Sequence, residues 1–443
     1  MNKKVLLSLL LIFISFFLFS CKKKTVIEDK GLKLLKQEAK LSYDFFMETT
    51  NFKEDSAGYG MARDRWPDNQ NMSSIASTGY MLAALPYGVE NGFIERDVAF
   101  ERASKTLDTL IGMETHGGFF FHWVHMETSL PLSGSEVSII DTALLLAGAI
   151  VAAEYFGAEV KEKMQIIYDR IDWNFYVNKE RNMFYMGYKP NAGGFSGAWD
   201  HMSEQLIMYV LAAGSSTHPT DDSLYRTIKN IVMSDYRGKY KSKNHETKTY
   251  IYGHNGSLFQ HQFSHAYIDF RNIVDYQGTN WYENAIEATL ANYYFCKDNQ
   301  NMFIAYQEAW GLSACDHPFG YKAFGAEVAK KRAHNGTIAP YAAIASVNYT
   351  PDKTFEAIKF FDTLDELKGK YGYKDAYNLG PVDPLFNQQL AEATPWYDND
   401  YLGIDKGITL LMIANYESEL IWNLFMKNDN VKRGLEVLNF SQS

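Results

Sequence analysis

The chain is poor in cysteine, poor in proline and short of positive charge, and each shortage excludes something. Its 443 residues include three cysteines, Cys21, Cys296 and Cys315, too few for a disulfide framework. No histidine stands at a metal-ligand spacing from them, so neither a metal nor a cofactor is expected. Pairing of Cys296 with Cys315 and two separate thiols both remain open on sequence alone. Eleven prolines against 29 Phe, 30 Tyr and 8 Trp favour a large helical core over a loop-rich scaffold. The formal net charge is −10, which argues against nucleic acid or a polyphosphate as partner, because such ligands need a basic footprint.

An apolar run that stands apart lies at the start. Lys3 and Lys4 precede Val5 to Phe19, a stretch too short and wrongly flanked to span a membrane, which reads as a signal peptide. It ends in Leu18-Phe19-Ser20-Cys21, similar to the box at which bacterial lipoproteins are lipidated on cysteine. Residues 1–20 are therefore expected to be a signal, residues 21–30 a tether, and residues 31–443 one domain. The expected location is the cell envelope, with the membrane as a partner through lipid on Cys21 and a monomeric chain. The membrane face stays open.

The helical segments are of two kinds. Leu32 to Met47, Glu95 to Met113, Val160 to Ile171, Asp222 to Met233, Trp281 to Lys297 and Asp352 to Lys368 carry a charged face. Ser74 to Leu85, Glu136 to Tyr155, Glu204 to Ala213, Leu258 to Ile273, Thr337 to Ser346 and Gly407 to Phe425 are apolar nearly all round. A striped helix lies on a surface and an all-apolar one is buried. The two kinds alternate, giving six outer–inner pairs and a closing helix near Val431 to Leu438.

The connections are asymmetric. Inner-to-outer links take a few residues, whereas outer-to-inner links are long, aromatic and Gly-rich, such as Glu114 to Ser135 and Gly369 to Lys406. Loops of that length are functional or disordered, and these are too aromatic to be disordered. Short strand pairs are expected within Gly118 to Val124 and Asn182 to Tyr188. If the inner helices form a ring, all six long connections meet at one end, around the inner-helix N-termini. That is an all-α fold, an (α/α)6 barrel. No fixed repeat length supports a solenoid.

Acidic residues recur where the long connections enter inner helices: Glu136 and Asp141, then Glu204, then Asp405. Capping and the helix dipole favour acids at such places without any function, but several converging on one crater suit chemistry. Cleavage of a glycosidic bond needs one carboxylic acid to protonate the leaving oxygen and one carboxylate as base or nucleophile. Glu204, between the Trp199 loop and an apolar run, suits the acid, since burial raises a carboxyl pKa. Glu136, Asp141 and Asp405 are candidates for the base. Trp66, Trp123, Trp199, Trp310 and Trp396 occupy the long connections and could serve as stacking faces for a neutral polysaccharide or oligosaccharide. Arg63 and Asp64 could bind hydroxyls. His265 shares a helical face with Gln262 and Asp269, and His334 stands at a loop-to-helix entry.

These residues resemble the bacterial endo-β-1,2-glucanases of glycoside hydrolase family 144, often labelled as glucoamylases. The resemblance runs from about Leu32 to Phe440. It rests on Glu136-Val-Ser-Ile-Ile-Asp141, Ser203-Glu204-Gln205, His261 to Arg271, Trp310 to Asp316, Gly336 to Pro340 and Tyr401 to Asp405. It implies an (α/α)6 fold, inverting hydrolysis of β-1,2-glucan to short oligosaccharides and no metal. It also implies Glu204 as acid, and Asp316 and Tyr401 near the substrate. Cys315 and His317 depart from the family pattern. An exo-acting α-glucan hydrolase, a polysaccharide lyase on the same barrel and a glycan-binding lipoprotein without catalysis are the competing expectations.

Overall fold

The computed structural model describes residues 30–443, so the signal run and Cys21 lie outside the described residues. Fifteen helices follow in order among them: α1 (residues 30–49), α2 (Ile75–Glu90), α3 (Arg96–Gly112), α4 (Ile139–Phe156), α5 (Ala158–Asp169), α6 (Leu206–Gly214), α7 (Ser223–Asp235), α8 (Trp281–Asp298), α9 (Ala305–Glu308), α10 (Pro340–Ile344), α11 (Pro351–Phe361), α12 (Gln388–Glu392), α13 (Gly403–Ser418), α14 (Leu420–Phe425) and α15 (Asp429–Val437). Strand segments are two to four residues long.

The apolar segments form the inner ring. α2 packs on α4, α4 on α6, α10 on α13, and α13 back on α2. The segment from Leu258 to Ala266 fills the gap between α6 and α10. Ser264 Oγ accepts the backbone N–H of Ile207 at 3.0 Å, and Gln262 Nε2 donates to Ala342 O at 2.8 Å. Alternation of the two helix kinds thus predicted the (α/α)6 barrel correctly. α4 is long and apolar enough to cross a membrane by composition, but 78% of it is buried inside the protein, as an inner helix requires. α2 and α4 touch through glycines: a Cβ at Gly148 would sit 1.8 Å from Gly79 O. Small residues at a helix crossing let two backbones approach.

Two inner segments differ from expectation, for reasons visible in their hydrogen bonds. Leu258 to Ile273 is not one helix but two 3-10 turns, Leu258–His261 and Ser264–Ala266. Side chains take the carbonyls that a continuing helix would use. Tyr349 Oη donates to His261 O at 3.0 Å, Trp422 Nε1 to His265 O at 2.7 Å and Asn415 Nδ2 to Ala266 O at 2.8 Å. Such competition ends helices. The expected Gly407 to Phe425 helix starts earlier and breaks at Glu419, whose φ is 57°. There Asn415 Oδ1 accepts the N–H groups of Ile421 and Trp422, both at 3.1 Å.

At the loop end, short strands brace the entry to inner helices. Met72–Ser74 pairs with Trp123–His125 ahead of α2. Val137–Ser138 pairs with Gly187–Lys189, itself paired with Gly194–Ser196, ahead of α4. Arg65–Trp66 pairs with Tyr401–Leu402 ahead of α13. The two stretches expected to hold strand pairs supply one strand of each pair instead, with the partner just upstream: Phe119–Phe120 pairs with Thr115–His116 and Met183–Phe184 with Val177–Asn178. Cys296 and Cys315 are both buried and unpaired.

Candidate active site

A cleft of about 420 Å³ opens at the loop end, and Glu136, Asp141, Glu204 and Asp405 all line it. Four acids from separate stretches of chain meet there because the inner helices begin there. Asp141 and Asp405 stand in the first turns of α4 and α13, where the helix dipole favours negative charge. Capping does not account for either. Ser138 Oγ caps α4, accepting the Asp141 N–H at 3.3 Å, and α13 has no side-chain cap.

Glu204 precedes α6 among apolar side chains. Burial pushes its carboxyl above the ordinary range, opposed by a short hydrogen bond from the Ser203 hydroxyl. Gln260 Nε2 holds Ser203 Oγ at 3.0 Å, so the group next to the acid is itself fixed. Such a carboxyl keeps its proton to higher pH and can donate it.

The opposite electrostatic situation holds for Glu136 and Asp141. His122 lies between them, with Nδ1 3.2 Å from Glu136 Oε1 and Nε2 3.6 Å from Asp141 Oδ2. Burial alone would strip the imidazolium of its proton, but Asp141, Glu136 and Asp64 carry His122 up to about 9. The bond from His122 in turn holds Glu136 below the usual carboxylate range. Glu136 and Asp141 are therefore tied to a fixed cation.

Asp405 is buried and has an oxygen, Oδ2, with no partner. Burial pushes its pKa up to about 7, and Asp316 adds to the rise. A hydrogen bond from Asp375 and the charges of Lys406 and Arg65 oppose it. Arg65 Nη1 donates to Asp316 Oδ2 and to Asp400 Oδ2, each at 2.9 Å. Below the cleft, the buried Tyr80 hydroxyl has no hydrogen-bond partner and feels Asp405, Asp141 and Glu204 together.

The other residues expected at the site divide. Trp199 is 2% exposed and forms part of the cleft wall. Trp123 backs it, stacked on His122 with ring centroids 3.9 Å apart and donating from Nε1 to Asp64 Oδ1 at 3.2 Å. Asp64 thus serves the His122 wall, and Asp316 the Arg65 cluster. Arg63 has a buried guanidinium nitrogen without a partner and does not line the cleft. Trp66 packs on Tyr371 and Tyr401, and Tyr401 is buried. Burial corrects two expectations, Trp310 and His265, and two further residues, His334 and Trp396, are half-buried and do not line the cleft. Trp310 is 1% exposed and donates from Nε1 to Lys353 O at 3.3 Å; it is core. His265 is 3% exposed between Phe270 and Tyr349, and burial drives its pKa down to about 3. His334 packs among Phe295, Phe303 and Tyr306. Trp396 sits in a strand opposite Asn378. Of the five tryptophans, one lines the cleft, because a long aromatic connection also has its own core to fill.

Sequence reasoning passed over His122, Tyr321 and Tyr341, which line the cleft, and Asp375, which stands against Asp405. His122 is one of three histidines, with His116 and His125, in an aromatic run. Tyr321 comes from a hairpin, Ala314–His317 with Gly320–Ala323, that no periodicity marks. One oxygen each of Asp316, Asp375 and Asp398 lie within 4.8 Å of one another.

With this geometry in place, comparison with known proteins is direct. The family model described as "Putative glucoamylase" matches residues 196–429. A glucoamylase-like protein from Bacteroides uniformis is 27% identical, with a TM-score of 0.78 over 92% of this chain and 97% of its own. An endo-β-1,2-glucanase from Chitinophaga pinensis, solved with sophorotriose and glucose, is 26% identical, with a TM-score of 0.78 over 93% of this chain and 99% of its own. An exo β-1,2-glucooligosaccharide sophorohydrolase from Parabacteroides distasonis is 25% identical over 413 residues, 85% of this chain. The chain spans about half the length of that curated relative, 54%. The chain belongs to this glucoamylase-like family, the glycoside hydrolase family 144 type.

Proposed function

We propose that this protein is a glycoside hydrolase that cleaves β-1,2-glucan to short oligosaccharides with inversion, using Glu204 as general acid and Asp405 as general base. The observation that carries this reading is the pairing of two different carboxyls in one cleft. Burial raises the Glu204 carboxyl above the ordinary carboxylate range, and Asp405 lines the same cleft with its pKa pushed up to about 7. Glu136 and Asp141 are held by His122 and bind hydroxyls instead. Glu204 gives its proton to the glycosidic oxygen as the bond to the anomeric carbon breaks. Asp405 takes a proton from the water that attacks that carbon from the opposite face. A base with a pKa near the working pH combines ionisation with driving force. The similarity to β-1,2-glucan-acting relatives supports the linkage, and the acidic chain suits an uncharged substrate.

The test is hydrolysis of linear β-1,2-glucan and of starch, with the products sized over time. Oligosaccharides from β-1,2-glucan alone are expected, and glucose from starch overturns the linkage. Glu204→Gln and Asp405→Asn are each expected to lower kcat by roughly 10²–10⁴-fold with KM nearly unchanged. An Asp141→Asn or Glu136→Gln variant that loses more than Asp405→Asn moves the base to that residue.

The envelope location stands on the same footing. We infer that lipid on Cys21 anchors the chain to a membrane, since Leu18 to Cys21 has the form of a lipidation site. Fractionation checks this: Cys21→Ser should move the protein from the membrane to the soluble fraction, and no change removes the anchor.

A further inference from the structure

Beside the cleft lies a second, much smaller cavity of about 10 Å³, lined by Asp375, Lys406, Glu38 and Tyr373 and sharing Asp405 and Tyr341 with the cleft. Around it the charges do not balance. Asp316, Asp375, Asp398, Asp400 and Asp405 converge, against Arg65, Lys406 and the cavity-lining Lys374 as nearby cations. Arg65 and Lys406 are already engaged. Arg65 bridges Asp316 and Asp400, and Lys406 Nζ donates to the buried Glu38 Oε1 at 2.5 Å. Asp398 Oδ1 accepts the backbone N–H groups of Asn399 at 2.7 Å and Asp400 at 3.2 Å, while its Oδ2 has no donor.

Asp375 and Asp405 are the two aspartates that share the small cavity. Both are at most 5% exposed, and each keeps one oxygen without a donor, Asp375 Oδ1 and Asp405 Oδ2. Asp375 Oδ2 accepts the Asp316 N–H at 2.7 Å. Yet the two carboxyls lie within hydrogen-bond range of each other. Two ionised carboxylates cannot bond in this way, and a buried unmatched oxygen is costly. One proton between them satisfies both. Its place follows from the surroundings: Asp405 is drawn down by Lys406 and Arg65, whereas the strongest charges on Asp375 are Asp405 and Asp316. Lys374 also lines the cavity, while the Cys315 thiol and the Tyr321 and Tyr341 hydroxyls near the pair carry no charge at neutral pH.

We propose that Asp375 is a positioning residue, carried as the neutral carboxylic acid, whose O–H donates to Asp405 and so fixes the orientation and ionisation of the base. This rests on the assignment of Asp405 as base. Asp375 touches no substrate. Its hydroxyl occupies one Asp405 oxygen and leaves the other to take the proton of water.

Two substitutions separate a hydrogen-bond donor from a charge. In Asp375→Asn the amide still donates to Asp405, and its oxygen still accepts the Asp316 N–H. kcat should stay within about threefold and the acid limb of the pH–rate profile should not move. In Asp375→Leu the donor is gone. The limb should move up by about one pH unit or more, with kcat at neutral pH down roughly 10- to 100-fold and KM unchanged. The infrared spectrum of the wild type minus that of Asp375→Asn should show a protonated-carboxyl C=O band at pH 7. An Asn variant as impaired as the Leu variant, an unimpaired Leu variant, or the absence of that band overturns the proposal. So does activity lost on dialysis against EDTA and restored by Ca²⁺, which would place a cation among Asp316, Asp375 and Asp398. Full turnover by Asp405→Asn would instead remove the base assignment, while the infrared band reports the proton on Asp375 independently.

Discussion

Replacing His122 by Gln tests whether a buried cation organises one wall of the cleft. Its ring is stacked on Trp123 and bonded towards Glu136 and Asp141, with 23% of the side chain exposed. The neighbouring carboxylates raise its pKa from 6.5 to about 9 against the effect of burial. At 1.36 kcal/mol per pH unit that is about 3 kcal/mol in favour of the folded protein. Because the folded value lies above the unfolded one, this contribution is fully present below about pH 6.5 and is lost as pH rises through about 9. His122→Gln should therefore cost most near pH 6, and the gap to the wild type should close by about 3 kcal/mol towards pH 10. For a domain of this size that corresponds to about 3–4 °C in Tm. The assay is thermal unfolding of both proteins from pH 6 to 10 at constant ionic strength. A gap that stays constant across this range would refute the reasoning, since a loss of packing alone does not titrate.

Other perturbations have distinct expected outcomes. Lys229→Met leaves Asp275 buried without its cation, which lies 2.5 Å away with both side chains fully enclosed. The cost should be about 3–5 kcal/mol in denaturant unfolding, and a neutral change would mean that Tyr225 and backbone N–H groups suffice. Gly148→Ala places a methyl against Gly79 O and should cost about 1–3 kcal/mol, measured in the same way. Trp310→Ala should lower stability by about 3–5 kcal/mol in denaturant unfolding and leave KM unchanged. Tyr321→Ala, on an exposed hairpin at the cleft, should raise KM several-fold and leave Tm unchanged. Reversal of that pair would mean that Trp310 reaches substrate.

The sequence by itself determined the architecture and the identity of most cleft acids. All-apolar and striped segments alternate because one set of helices must be buried on every side and the other on one side. The long connections therefore fall at one end, and Glu136, Asp141, Glu204 and Asp405, each near an inner-helix start, follow them there. Sequence could not decide which polar side chains would displace helical hydrogen bonds, so Leu258 to Ile273 read as a helix until Tyr349, Trp422 and Asn415 were seen on its carbonyls. Nor could it separate a cleft tryptophan from a core one, since Trp199 and Trp310 sit in equally aromatic surroundings and differ in what lies beyond the ring. The roles of the acids were the least legible part. Glu136 and Asp141 are set by His122, and Asp405 by Asp375, partners 14, 19 and 30 residues away in sequence. Charge acts through space and desolvation depends on enclosure, so those roles belong to the tertiary structure alone.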